Sequence, residues 1–231
     1  MHMNQDALEK ARQQVNDLKQ EQAVLEDALE KCREDCDHVH ESGDCNHVWG
    51  VNAKDEIYYR APQSGICERI GGGLKNVSVS DDGNHVWGVN SGDAIYYKAG
   101  HSGSWQKVEG ALKQVSVSGD GNHVWGVNSR DAIYYRTGFS GSWKKVAGKL
   151  KNISVSGDGN HVWGVNSGDA IYYRTGFSGS WKQISGSLKN VSVSDDGNHV
   201  WGVNAKDEIY YRAGFSGSWK RIGGSLKQVS I

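Results

Sequence analysis

A 38-residue period governs this chain. His-Val-Trp begins at His47, His85, His123, His161 and His199, each step being 38 residues. Tyr-Tyr pairs keep the same step at Tyr58/Tyr59, Tyr96/Tyr97, Tyr134/Tyr135, Tyr172/Tyr173 and Tyr210/Tyr211, and they use all ten tyrosines. Ser-Gly-Ser-Trp ends in Trp105, Trp143, Trp181 and Trp219, while the first copy puts Cys67 at that position. A period of this length means a solenoid, a propeller or an array, because one unit cannot bury its apolar face alone.

One unit, residues 114–150, reads QVSVSGDGNHVWGVNSRDAIYYRTGFSGSWKKVAGKL. Val115 and Val117 alternate with Ser116 and Ser118, the period of two that marks a strand. Gly119-Asp120-Gly121 is turn chemistry, since glycine and Asp tolerate positive φ. Residues 123–128 form a second strand, 132–137 a third and 143–147 a fourth, separated by a polar turn and a Gly/Ser loop. Four short strands per unit describe one blade, and five copies describe an all-β, five-bladed propeller. The chain ends on a sixth copy of strand one, Leu226-Lys227-Gln228-Val229-Ser230-Ile231, whereas His38-Val39-His40-Glu41-Ser42 has lost the alternation. The expectation is that the C-terminal strand fills the first position of blade one and closes the ring, leaving no unpaired apolar strand.

The remaining N-terminal residues are of another kind. Residues 6–36 contain no Gly or Pro, and Leu8, Ala11, Val15, Leu18, Gln22, Leu25, Leu29, Cys32 and Cys36 alternate steps of three and four. That is a heptad seam, with Gln22 as a polar break of the sort that fixes register. The division expected is a coiled-coil helix over 1–37 and a propeller over 38–231. The helix would assemble the protein as a parallel dimer or trimer, with Cys32 and Cys36 in interchain disulfides. Cys45 and Cys67 fall in connections at one end of blade one and suit an intrachain bridge, although four cysteines allow three connectivities. Confinement of all four to residues 32–67 points to an oxidising, extracellular setting. Zinc is the competing explanation, but the spacings form no two tight pairs.

Composition excludes several functions. Lys+Arg 26 against Asp+Glu 27 gives a net charge of −1 and no electrostatic reason for nucleic-acid binding. No apolar run approaches the roughly 18 residues of a membrane span. No catalytic constellation stands out, and near-interchangeable copies argue for repeated binding sites rather than one asymmetric active site. A glycosidase would need an acidic pair in one place. The five histidines sit one per blade and are not expected to converge on a metal. Asp82, Asp120, Asp158 and Asp196 read as turn-formers; a calcium role has no EF-hand spacing to support it. No cofactor is implied. Trp and Tyr rings with polar handles suit ligands with apolar faces and polar edges, as sugars have.

The unit HVWGVNSGDAIYYRTG…GSW…GxLKNVSVS resembles the tectonin repeat of fish egg lectins and of related horseshoe crab and fungal lectins. The likeness covers residues 44–231, with a V-W-G-V-N-x-x-D-x-I-Y-x-R core. It implies a β-propeller that binds N-acetylglucosamine, lipopolysaccharide or other microbial or cell-surface glycans in pockets between blades, as a secreted defence or egg-protective lectin. Five copies rather than six, and the heptad helix, depart from the pattern.

Carried over position by position, the resemblance places sugar contacts at Asn52, Asp55, Tyr59 and Arg60 in blade one and Asn90, Asp93, Tyr97 and Lys98 in blade two. Blades three and four supply Asn128, Asp131, Tyr135, Arg136 and Asn166, Asp169, Tyr173, Arg174. Blade five supplies Asn204, Asp207, Tyr211 and Arg212. Asn and Asp would take hydroxyls and the ring would stack; shaping the hairpin is the competing role of Asn and Asp. Phe139, Phe177 and Phe215 form a second candidate surface, with His101 and Gln63 in their place in blades two and one. A protein-binding scaffold, or an engineered repeat protein without a natural ligand, is the alternative.

Overall fold

The computed structural model describes residues 36–41, 47–61 and 66–230. Five four-stranded antiparallel sheets follow one another in chain order. Blade one holds β1 (Cys36–Glu41), β2 (Val48–Asn52), β3 (Ile57–Arg60) and β4 (Cys67–Ile70). Blade two holds β5 (Asn76–Val79), β6 (His85–Val89), β7 (Ala94–Ala99) and β8 (Gln106–Ala111). Blade three holds β9 (Gln114–Val117), β10 (His123–Val127), β11 (Ala132–Thr137) and β12 (Lys144–Lys149). Blade four holds β13 (Asn152–Val155), β14 (His161–Val165), β15 (Ala170–Thr175) and β16 (Lys182–Ser187). Blade five holds β17 (Asn190–Val193), β18 (His199–Val203), β19 (Glu208–Ala213) and β20 (Lys220–Ser225). The architecture is the five-bladed propeller that the repeat predicts.

The second strand of blades two, three and four is buried on both faces, because a neighbouring blade covers each side; in blade five Trp201 is only half-buried. In β10, Val124, Trp125 and Val127 are fully buried with Gly126 between them. Gly126 is glycine because a Cβ there would lie 2.4 Å from Leu112 Cδ1 of the preceding blade. Each buried indole withdraws about 150–250 Å² from water, on the order of 4–6 kcal/mol before entropy is charged against it. The walls between blades therefore rest on Trp49, Trp87, Trp125 and Trp163, all fully buried.

Around the axis the inner strands are sewn together by side chains. Asn76 Oδ1 accepts from Val115 N–H at 2.9 Å, and Ser78 Oγ accepts from Val117 N–H at 3.1 Å. The same stitch joins Gln114 and Ser116 to Ile153 and Val155, and Asn152 and Ser154 to Val191 and Val193. Strand edges that would otherwise stay unpaired are thereby satisfied. The stitched segments surround an axial cavity of about 750 Å³.

Two expectations change. The first position of blade one belongs to β1, with Val39 opposite Gly50 and His40 opposite Trp49. The C-terminal copy does not take it: residues 226–230 join no sheet, and Val229 N–H instead donates to Asn190 Oδ1 beside β17 at 2.9 Å. The physical reason is sequence distance, since a strand a few residues from its partner costs far less closure entropy than one nearly the whole chain away. The second change concerns Cys36, the last seam position of the expected helix, which is the first residue of β1. The rest of that helix, with Cys32, lies outside the described residues.

Candidate functional site

The turn between strands two and three is held by its asparagine. Asn128 Oδ1 accepts from the Arg130 and Ala132 backbone N–H groups at 3.0 and 2.9 Å. Asn52, Asn90, Asn166 and Asn204 cap their turns in the same manner. The aspartate that follows sits at positive φ in all five copies, from 62° to 65°, a conformation Asp tolerates better than most residues. Asp93 and Asp131 each take the lysine just before strand one of their own blade, Lys75 and Lys113, at 2.5 Å. Lys151 pairs likewise with Asp169, and Lys189 with Asp207. The expected hydroxyl-binding aspartates are thus turn residues carrying local ion pairs.

The expected stacking tyrosines are in the wall. Tyr59, Tyr97 and Tyr173 are buried, and each stacks on a ring of the next blade: His101, Phe139 and Phe215 at centroid distances of 4.2, 4.4 and 4.5 Å. Tyr135 stacks on Phe177 at 4.1 Å. Their hydroxyls meet the repeat histidines, as in Tyr59–His47 at 2.8 Å and Tyr211–His199 at 3.0 Å. Burial raises the Tyr59 and Tyr97 phenols above their ordinary value. Phe139 and Phe215 nonetheless keep about two fifths of their surface exposed, at 40% and 39%.

The expected arginines are structural as well. Arg136 is 5% exposed and lies between two indoles, 5.1 Å from the Trp87 ring and 5.2 Å from the Trp143 ring. Its Nε donates to Gly138 O at 2.9 Å, and Nη2 donates to Phe139 O. Arg174 and Arg212 repeat the arrangement between Trp125 and Trp181 and between Trp163 and Trp219. Lys98 takes the position in blade two, with its ammonium on Gly103 O, and burial lowers its pKa. Arg60 has the same position in blade one.

What opens to solvent is a cleft between adjacent blades. Between blades one and two, Ile57, Gly72 and Leu74 face Asn90, Tyr96 and Trp105 around a cavity of about 220 Å³. Between blades three and four, Ile133, Gly148 and Leu150 face Asn166, Tyr172 and Trp181 around about 210 Å³, with Lys149 at the rim. The two sets are the same repeat positions. Gly148 lies on the bulge of β12 and Gly72 at the equivalent position just after β4, at φ +105° and +114°, where a Cβ would come 3.5 Å from the indole. Between blades two and three a larger cavity of about 530 Å³ lies against Trp143 and Phe139, with Lys107 and Glu109 beside it. The Nε1 donors of Trp143, Trp181 and Trp219 are buried without a partner, while Trp105 Nε1 donates to Gly71 O at 3.0 Å. The inner indoles of Trp49, Trp87, Trp125 and Trp163 also leave Nε1 buried without a partner.

Of the residues expected at Asn, Asp, Tyr and Arg, only the asparagine lines the two smaller clefts, while Arg136 lines the larger cavity between blades two and three. The tyrosine that reaches the cleft is the first of each pair, and the second aromatic is the strand-four tryptophan. Adjacent tyrosines lie on opposite faces of a strand, so the repeat could show that one ring was free but not which one.

The cysteine expectation fails at blade one. Cys67 carries a free, half-buried thiol opposite Arg60, so it forms no bridge that would explain the missing tryptophan; Cys45 lies outside the described residues. The Asp82 series is spent on turns: Asp120 Oδ1 accepts from the Ser118 hydroxyl at 2.5 Å and from Asn122 N–H at 2.9 Å. Among the described residues no three His, Cys, Asp or Glu side chains gather as metal ligands.

Comparison with known proteins agrees with this architecture. The chain is similar in fold to the β-propeller domain of Cps50 (Swd1) from Myceliophteria thermophila, with TM-score 0.61, 9% identity, and 84% of this chain and 87% of that one covered. At that identity the likeness concerns the fold alone. No curated protein matches the chain. The family model described as the tectonin domain matches residues 38–180 and 156–231, which spans all five blades. The chain belongs to the tectonin domain family.

Proposed function

We propose that the protein is a multivalent glycan-binding lectin that takes sugar rings of the N-acetylglucosamine or lipopolysaccharide type in the clefts between blades. The observation that carries this reading is the recurrence of one cleft with the same three groups, an indole, a phenol and an asparagine amide. Stacking on an aromatic face satisfies the apolar C–H surface of a sugar, and the amide and phenol take its hydroxyls. The clefts are below the roughly 300–1,000 Å³ of drug-sized sites, which suits one ring rather than a buried oligosaccharide. The stacking groups are Trp105/Tyr96 and Trp181/Tyr172, with Trp143/Tyr134 at the equivalent position between them.

One such site binds at roughly millimolar strength, about −4 kcal/mol. Several per propeller, arrayed by self-association through the heptad segment that precedes β1, raise avidity by about 10² to 10⁴ on a surface of repeated glycans. Secretion accords with this role and with the cysteine placement. A glycan array, run with and without reducing agent, tests it. Binding to N-acetylglucosamine-bearing glycans that weakens when Cys32 is reduced is the expected result. A blank array with no bacterial-surface binding contradicts it. Exposed Phe139 and Phe215 favour a second reading, a protein-binding propeller; it predicts capture of protein partners that N-acetylglucosamine does not displace.

A further inference from the structure

The five blades are not equivalent at this site, and the difference lies in one position of the strand two–three turn. Blades two, three and four carry Ala94, Ala132 and Ala170 there; blades one and five carry Glu56 and Glu208. In blade five, Glu208 Oε2 accepts from Asn204 Nδ2 at 2.7 Å and from the Tyr210 hydroxyl at 3.3 Å, while Arg221 holds Oε1 at 3.0 Å. Blade one repeats this with Glu56, Asn52 at 2.8 Å, Tyr58 at 3.2 Å and Arg69 at 2.9 Å. The carboxylate thus occupies the two polar groups that the cleft offers a ligand. Where alanine stands, the amide Nδ2 of Asn90, Asn128 and Asn166 and the hydroxyl of Tyr96, Tyr134 and Tyr172 have no protein partner among the described residues. Open clefts of this shape lie on blades two and four, both alanine blades. Blade one has in addition lost the tryptophan, since Cys67 stands in its place.

We infer that the residue at this position gates ligand access: alanine leaves a competent cleft on Trp105, Trp143 and Trp181, and glutamate turns the carboxylate into an internal stand-in for the ligand's hydroxyls on Trp219 and at blade one. The chain therefore carries three glycan sites, not five. The inference rests on the glycan reading of the clefts. It also assigns a purpose to the uneven repeat. The two silent blades are the first and the last, which flank the chain ends, while the three active clefts lie together on consecutive blades. The ion pairs to Arg69 and Arg221 keep the glutamates charged, and their hydrogen bonds from asparagine hold them below the ordinary carboxylate range. The gate accordingly stays shut at any neutral or mildly acidic pH.

Indole N–H resonances read each cleft separately. In ¹H–¹⁵N spectra of the full chain titrated with N-acetylglucosamine, Trp105, Trp143 and Trp181 shift together, and Trp219 does not. Glu208→Ala recruits Trp219 with an affinity within about threefold of the others, and Glu208→Gln, which still accepts from Asn204, leaves Trp219 silent. Ala132→Glu weakens the Trp143 response about tenfold or more, with Lys145 placed to hold the new carboxylate, and spares Trp105 and Trp181. The unaffected indoles report that each variant is folded. A wild-type Trp219 that responds like the other three, or a Glu208→Ala chain in which Trp219 stays silent while the others shift, overturns the gating and leaves the glycan reading intact. Silence at all four indoles overturns the glycan reading, and the gating with it.

Discussion

At the scale of single residues, the chemistry that looks like a binding site mostly holds the protein together. Arg136 is the clearest case. The guanidinium lies between two indoles, is 5% exposed and donates to two backbone carbonyls, and its removal leaves an apolar slot and two unpaired acceptors. Arg136→Ala is expected to cost about 2–4 kcal/mol in urea unfolding, while N-acetylglucosamine binding at Trp181, at the next interface, is unchanged. Gly121 makes a second test. It sits at φ +70°, and a Cβ there would lie 2.3 Å from His85 Cδ2 of the preceding blade. Gly121→Ala should destabilise by about 1–3 kcal/mol, through strain and through the displaced histidine ring. Neither role is visible in a repeat alignment of the chain with itself. Arg136 and Tyr135 recur with the same fidelity whether they bind sugar or fill a wall, because every blade has the same wall.

At the scale of the element, strand boundaries and turns were legible. The pattern predicts strands two and three over 123–128 and 132–137, and β10 and β11 occupy His123–Val127 and Ala132–Thr137. The fourth strand was placed at 143–147 and runs Lys144–Lys149, because a bulge opposite Ala132 inserts Gly148 at positive φ and carries the strand further. That bulge shapes the cleft, and its one mark in the sequence is Gly148, next to Lys149. The turn between strands one and two makes a prediction about acid stability. Ser194, then the Asn198 N–H, hold the Asp196 carboxyl down to about 2. Asp82, Asp120 and Asp158 are lowered too, burial opposing but the serine and asparagine hydrogen bonds and the neighbouring histidine prevailing. A carboxyl whose folded pKa lies below its ordinary 3.8 stabilises the fold fully above that pH, and the contribution is lost as pH falls toward about 2. Melting temperature should therefore drop steeply below about pH 4, and Asp196→Asn should flatten part of that drop.

At the scale of the molecule, five near-identical units make one stitched propeller with unequal clefts. The five-fold count came directly from the 38-residue step, because one blade needs one copy. How the chain ends meet did not follow from it. The C-terminal copy is the better strand by alternation, yet β1 holds the first position of blade one, and its nearness in sequence to β2 outweighs its poorer pattern. The stitch between inner strands should be worth about 1 kcal/mol per bond, so Ser116→Ala is expected to lower stability by about that amount in urea unfolding. Glycan binding by the clefts is the claim on which the account turns. A crystal of the full chain soaked with N-acetylglucosamine tests it most directly. The account predicts a sugar ring stacked on Trp181 with a hydroxyl on Asn166 Nδ2, repeated on Trp105 and Trp143 and absent from Trp219. Sugar bound in the axial cavity or on the blade rims, with the indole clefts empty, would contradict it.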